Sequence, residues 1–269
     1  LITSTANQKI KNITALLKKS KERRQQKAFV VEGPKMCLEA PAERVQEIYV
    51  AEGFLAQEQQ RRQLEAYLSD HPQLRGLVET VSDGVFSSMS ATRTPQGILS
   101  VVAMPGYCLE QMLAQEHTLL LILEDIQDPG NLGTMLRTGE GAGVTGVIAS
   151  GNTVDLYNPK TIRSTMGSIY RVPYLAAEDL EGMIRRIKDN GVALYAAHLQ
   201  GSVSYEEPDY TTACGFLIGN EGNGLTEETA RLADTYVRIP MAGKVESLNA
   251  AVSASLLMYE CNRQRRQNQ

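Results

Sequence analysis

The chain has 269 residues, 42% of them hydrophobic, enough for real cores in one large or two modest domains. No apolar run reaches the roughly 18 residues of a membrane span, and the polar, basic start lacks the apolar core of a secretory signal. The net charge of −4 argues against nucleic acid if taken alone, but the charge is unevenly spread. The first residue, Leu1, is not Met, so the native N-terminus is expected to lie upstream.

Residues 7–27 set Ile10, Ile13, Leu16 and Leu17 at helical spacing among lysines and predict a helix. The cations gather here: Lys9, Lys11, Lys18, Lys19, Lys21, Arg23, Arg24 and Lys27 stand against one acid, Glu22. A basic arm on an acidic body fits a phosphate-binding footprint or a solvated helix face, and charge alone leaves both open. "AFVVEG" (28–33) reads as a short strand ending at Gly33, and "VQEIYVAEGF" (45–54) as a strand and turn. Residues 55–68 have helical spacing, "LRGLVETVSDGVFSSMSAT" (74–92) mixes strand and turn signals, and "PQGILSVVAM" (95–104) is a strand. This alternation predicts a small α/β domain over 1–104, followed by a linker or boundary helix at 105–116.

From 117 to 269 the texture changes. "TLLLILEDI" (118–126) is a nearly continuous apolar strand, as in parallel sheets covered on both faces. "GVIAS" (146–150), "VALYAA" (192–197), "GFLIGN" (215–220) and "YVRIPM" (236–241) are further strands. Helical segments at 132–142, 159–168, 178–189, 226–233 and 247–264 separate them, which predicts an α/β domain with a mostly parallel sheet. Cys37, Cys108, Cys214 and Cys261 are far apart with no C-x-x-C pair. Neither a zinc site nor a disulfide framework is expected; buried thiols in a reducing cytoplasm are.

Ligands of open α/β sheets sit beyond the carboxyl ends of the strands, and three such ends are heavily loaded. In "LEDIQDPGNLGTMLRT" (123–138), Asn131 is placed to cap a helix beginning at Leu132. Arg137 is a lone cation among small and apolar residues, with Gly133 and Gly141 one turn to either side. It fits either a close approach by a ligand or an ion pair with Glu140 or Asp128. In "LIGNEGNGLTEE" (217–228), Gly219, Gly222 and Gly224 follow a strand around one acid, Glu221, and Thr226 caps the next helix. In "RIPMAGKVESLNAAVSASLLMYE" (238–260), Ser247 is a good N-cap for a helix rich in Ala and Ser. A Walker loop is absent, and "GEGAGV" (139–144) lies at a helix end with the wrong spacing for a dinucleotide fingerprint.

"DPGNLGTMLRT", "IGNEGNGL" and "IPMAGKVESLNAAVSASLLMYE", in that order, resemble the three motifs of the SpoU (TrmH-type) RNA ribose 2′-O-methyltransferases of the SPOUT superfamily. "FVVEGPKMCLEA" (29–40) and "MSATRTPQGILSVV" (89–102) are similar to that family's L30e-like substrate-binding domain. The resemblance implies a deep C-terminal trefoil knot, an exception to unknotted topology, that holds S-adenosylmethionine. Gly219, Asn220, Gly222, Ile239, Met241 and Leu248 would contact the cofactor. Asn131, Arg137, Glu221, Ser247 and Asn249 carry over as the catalytic set. Lys9, Lys11, Lys18, Lys19, Arg23, Arg24 and Arg93 would contact RNA. The family works as a homodimer; from the cysteines and the missing apolar run, a cytoplasmic protein with no metal and no membrane attachment is expected.

A sulfonium carries its own leaving group, so the protein must chiefly align a ribose 2′-oxygen with the methyl carbon. The family proposal makes Arg137 the general base. A guanidinium stays charged in proteins, which gives Arg137 instead a grip on the neighbouring phosphate and on the developing alkoxide. The expected substrate is 23S ribosomal RNA. The alternatives are transfer RNA, ribosomal methylation that confers antibiotic resistance, and a non-catalytic RNA-binding protein.

Overall fold

The computed structural model describes residues 1–200 and 203–268. It divides into two compact units, residues 1–105 with 157–163, and the rest.

The first unit opens with α1 (Gln8–Lys18), capped by the Asn7 side chain, which accepts from the Lys9 amide at 2.9 Å. Its apolar stripe buries Ile10, Ile13 and Leu16. Then come α2 (Ser20–Gln26), β1 (Ala28–Glu32), α3 (Pro34–Leu38), β2 (Val45–Ala51), α4 (Glu52–Ala56), α5 (Glu58–Asp70), β3 (Val78–Val81), α6 (Asp83–Met89) and β4 (Ile98–Ala103). The strands form a sheet in the order β1-β4-β2-β3, with β4 antiparallel to both neighbours and β2 parallel to β3. The helix α6 stands where strand and turn were expected. Ser82, which reads as turn chemistry in "SDG", is its N-cap, and Val85, Phe86 and Met89 fall on its buried face.

The second unit contains α7 (Leu109–Leu113), β5 (Leu119–Leu123), α8 (Pro129–Ala142), β6 (Gly146–Ser150), the end of α9 (Pro159–Thr165), β7 (Tyr174–Ala177), α10 (Leu180–Asp189), β8 (Ala193–Ala197), β9 (Val203–Ser204), β10 (Cys214–Ile218), α11 (Glu227–Ala230), β11 (Thr235–Arg238) and α12 (Ala250–Gln267). The sheet order is β7-β6-β5-β10-β8-β11-β9, parallel at every pairing. Every residue of β5 and of β10 is buried, as continuous apolar runs at the centre of a covered sheet require.

Three expectations are corrected here. The segment 105–116 is not a linker but the boundary helix of the two alternatives: Leu109 and Met112 of α7 are buried in the second unit's core with Leu120 and Ile148. The helix α8 begins at Pro129, not Leu132, and its cap is Asp128, whose Oδ1 accepts from the Asn131 amide at 2.9 Å. Proline suits the first helical turn because its missing N–H would be unpaired there anyway. The helix α12 begins at Ala250, and its cap is Asn249, not Ser247. The thiols also differ: Cys37, Cys214 and Cys261 are buried but Cys108 is exposed, and the Cys214 and Cys261 sulfurs lie 3.8 Å apart. Among the described residues no helix is long and apolar enough to cross a membrane.

Candidate functional site

Parallel pairing puts the carboxyl ends of β5 and β10 at the same edge of the sheet, so the loops that leave them meet. Side chains join the three motifs there in one hydrogen-bonded chain. Asn249 Nδ2 donates to Asn131 Oδ1 at 2.9 Å, and Asn131 Nδ2 donates to Glu221 Oε1 at 2.9 Å. The Glu221 carboxylate also accepts from the amides of Asp128 at 3.0 Å and Gln127 at 3.1 Å. Partial burial opposes its charge, but these donors outweigh it and hold its carboxyl below the usual carboxylate range. Glu221 is therefore an anion committed to the loop after β5. Asn220 braces the same junction, donating to the Asp125 carbonyl at 2.8 Å while its own Oδ1 accepts from the Gly222 and Asn223 amides.

The loop after β10 is folded tightly on itself. Asn220 and Gly224 exchange backbone bonds at 3.0 and 2.9 Å. A Cβ on Gly219 would lie 2.0 Å from the Gly224 carbonyl carbon, so only glycine allows this approach. A residue that sequence reasoning passed over fixes the far side. Glu124, 9% exposed at the end of β5, accepts from the Thr226 amide at 2.7 Å, from Thr226 Oγ1 at 2.8 Å and from Thr229 Oγ1. Its signal was an acid directly after five apolar residues, where only a fully bonded carboxylate is tolerated. Thr226 also caps α11, as expected.

The third loop differs. Among the described residues, no group from 239 to 248 has a hydrogen-bond partner within the chain. Ile239, Met241 and Leu248 are half-buried there, while Ser247 is exposed and bonded to nothing described. Asn249 closes the loop, its Oδ1 accepting from the Ala251 amide at 2.8 Å and the Val252 amide at 3.3 Å.

Arg137 stands exposed on α8, outside the Asn249–Asn131–Glu221 chain, and has no hydrogen bond or ion pair among the described residues. The expected alternative of a pair with Glu140 does not form, because Glu140 is bonded to Arg171. Two glycines of α8, Gly139 and Gly141, make room for α12. Gly133 is buried, a Cβ on Gly139 would touch Met258, and one on Gly141 would lie 2.7 Å from Tyr259 Oη. Small residues on α8 thus admit α12, and Ser255 Oγ bonds Thr138 Oγ1 across the contact at 3.1 Å.

Two members of the expected RNA-contacting set do other work. Arg23 is only 3% exposed, and its guanidinium donates to the Leu16 carbonyl at 2.6 Å and the Leu17 carbonyl at 3.3 Å. It closes the carboxyl end of α1, where the carbonyls lack helical partners. Lys9 is paired with Glu79 at 2.5 Å. Lys11, Lys18, Lys19, Arg24 and Arg93 are exposed.

Residues 118–259 match the SpoU rRNA Methylase family, and residues 7–100 match the MRM3-like substrate binding domain. The chain is 34% identical over 260 residues to the 23S rRNA (guanosine(2553)-2'-O)-methyltransferase RlmP of Bacillus subtilis, covering 96% of this chain and 97% of that relative. Among solved structures it is similar to the AdoMet-bound rRNA methyltransferase from Sinorhizobium meliloti, with a TM-score of 0.85 and 32% identity over 97% of both chains. The SpoU methyltransferase AviRb from Streptomyces viridochromogenes in complex with AdoMet gives a TM-score of 0.84 at 26% identity, over 97% of this chain and 100% of that one.

Proposed function

The chain belongs to the SpoU rRNA methylase family, as an S-adenosylmethionine-dependent RNA ribose 2′-O-methyltransferase, and from that premise we propose that its substrate is 23S ribosomal RNA. The similarity to RlmP across 96% of the chain supports the ribosomal target. The first unit acts as the RNA-binding domain and the second, α7 included, as the methyltransferase domain.

The observation that carries the site assignment is the hydrogen-bonded chain Asn249–Asn131–Glu221, which draws three distant motifs to one sheet edge. The loop 239–248, with no internal hydrogen-bond partners, and the tightly closed loop at Gly219 fit an adenosyl ligand that takes up backbone donors and acceptors. Gly219, Asn220, Gly222, Ile239, Met241 and Leu248 would hold S-adenosylmethionine, which when bound supplies an electrophilic methyl on its own leaving group. Glu221 is no general base, since both its oxygens are occupied and its proton is held off. It clamps the loops together, with Asn131 and Asn249 as the links. Arg137, unpaired and permanently charged, binds the phosphate beside the target ribose and stabilises the forming alkoxide. Ser247 lines the third loop and meets the substrate or the cofactor there.

The C-terminal segment forms a trefoil knot. The insertion of β10 between β5 and β8 and the seating of α12 on α8 support it, as does the likeness to SpoU structures. The working form is a cytoplasmic homodimer. Val252 and Tyr259, one heptad apart on α12 and 48% and 47% exposed, offer an apolar stripe for a second copy.

The test is methyl transfer from labelled S-adenosylmethionine to total RNA lacking the modification, followed by size fractionation and nucleoside analysis. Label is expected as a 2′-O-methyl nucleoside in 23S RNA. Arg137→Ala should lower turnover by about 100-fold or more while cofactor binding persists. Label in transfer RNA alone would overturn the substrate assignment, and near-full turnover by Arg137→Lys would overturn a role for the forked guanidinium.

A further inference from the structure

The loop between α6 and β4, residues 90–97, is fastened at both ends and free at its tip. At its start the carboxylate of Glu32, the last residue of β1, accepts from Ser90 Oγ at 2.6 Å, the Ala91 amide at 3.1 Å and Thr92 Oγ1 at 2.7 Å. At its end Gln96 lies over Gly33, where a Cβ would stand 2.1 Å from Gln96 Oε1, and Gly33 has φ +99°. The Gly97 carbonyl accepts from the Ala51 amide at 2.8 Å. Between these anchors Arg93 and Thr94 are exposed, and neither has a hydrogen bond or ion pair among the described residues. The acid nearest in the network, Glu32, has its oxygens taken by the loop's own hydroxyls and amide.

We propose that Glu32 is a positioning residue that presets this loop so that Arg93 grips a phosphate of the RNA substrate. The inference rests on the reading of the chain as an RNA methyltransferase and names a contact point within its substrate-binding domain. A guanidinium fork matches phosphate oxygens two at a time, and holding it on a fastened loop removes ordering entropy from the binding step. This grip is separate from the basic arm. The arm ends at Lys27, immediately before β1, whereas Glu32 closes β1. The five residues of β1 itself span roughly 17 Å at the rise of a strand. The unit thus offers RNA the basic arm that leads into one end of β1 and a forked arginine beside the other.

Charge and position make opposite predictions for Glu32, which is what allows a test. Loss of an acid from an RNA-facing edge should tighten RNA binding if only its charge matters. Loss of a positioning acid should weaken it. RNA affinity, KM and kcat are to be measured on the full chain with a 23S RNA fragment as probe. Arg93→Ala should weaken binding by about tenfold and lower the salt slope by about 1, with the loss in KM rather than kcat. Glu32→Ala should weaken binding by about threefold or more, whereas Glu32→Gln, which keeps an acceptor, should stay within about twofold of wild type. The double variant Glu32→Ala/Arg93→Ala should bind no worse than Arg93→Ala, because one residue acts through the other. If melting shows that Glu32→Ala does not fold, Ser90→Ala/Thr92→Val removes the donors instead and should weaken RNA binding alike. Tighter binding by Glu32→Ala, additive losses, or unchanged affinity in Arg93→Ala would overturn the proposal. A wild-type chain that methylates 23S RNA while Arg93→Ala binds normally fails this inference alone; a wild type that neither binds nor methylates RNA fails the parent reading with it.

Discussion

Asn249 donates its side-chain amide to the Oδ1 of Asn131 at 2.9 Å, tying the cap of α12 to the first turn of α8. Each amide is used at both ends. Asn249 Oδ1 caps its own helix while its Nδ2 reaches Asn131, and Asn131 accepts from Asn249 while donating to Glu221. Every flip state but one would break a bond, so the amide planes are fixed. One contact therefore sets helix start, loop position and site geometry together.

Capping and catalysis are assigned to different residues of the first motif, and they separate by mutation. Asp128→Ala removes the cap of α8 and should cost about 1 kcal/mol of stability in urea unfolding. Asn131→Ala leaves that cap in place, so its loss of turnover should far exceed its loss of stability. Equal stability losses would return the capping role to Asn131.

The lowered proton affinity of Glu221 has a definite sign in stability. A carboxylate held below its usual range releases its proton more readily when folded, so it stabilises the fold above the ordinary carboxylate range, about pH 4.3. That contribution is lost as the pH falls through the lowered value. The stability gap between wild type and Glu221→Gln should be flat near neutrality and shrink in acid. Melting of both proteins across pH measures it, and a gap that widens in acid would contradict the assignment.

Gly219→Ala should be far worse than an ordinary surface exchange. The new methyl would meet the backbone of Gly224 and Leu225 at 2.0 to 2.3 Å, and backbone cannot rotate aside. Overpacking of this kind costs about 1–3 kcal/mol, and the cofactor loop should shift with it. Calorimetric titration with S-adenosylmethionine is the check, with affinity reduced by about tenfold or more. Gly222→Ala, where no backbone crowds the added carbon, should melt nearly as wild type.

The basic arm divides into structural and solvent-facing cations. Arg23→Ala strands the carbonyls of Leu16 and Leu17 in a buried setting and should cost about 1–3 kcal/mol. Lys19→Ala should leave stability unchanged and reduce the salt dependence of RNA binding. Denaturant curves and salt titrations distinguish the two.

The central strands, the parallel sheet and the three loaded strand ends were legible in the sequence because each is a local pattern: an apolar run, then turn residues, then helical spacing. The caps were less so. Asp128 and Asn131 are both good capping types, and only Pro129 at the first turn decides between them. Ser247 and Asn249 compete in the same way with no proline to arbitrate. Arg23 reads as one cation in a basic helix; its burial depends on the turn between α1 and α2 and leaves no mark in the spacing. The edge strands β7 and β9 are short and partly exposed, so they show no apolar run. Glu124 was hidden for the opposite reason, as an acid whose partners lie about a hundred residues away, near Thr226.

The position of β10 also sets an order of events as the chain folds. It pairs with β5 on one side and β8 on the other, and both precede it in the sequence. The sheet therefore does not grow outward from a finished edge. Its middle place is filled by a late segment, through the pairing of Leu119 with Cys214 across most of the second unit. Contacts of such separation form slowly, because loop closure must come before any gain from packing. Asn131, made early, has no Glu221 or Asn249 to bond until that insertion is complete. The site is completed late: a chain released before its final helix would have Asn131 bonded to Glu221 but no Asn249 to close the chain of amides.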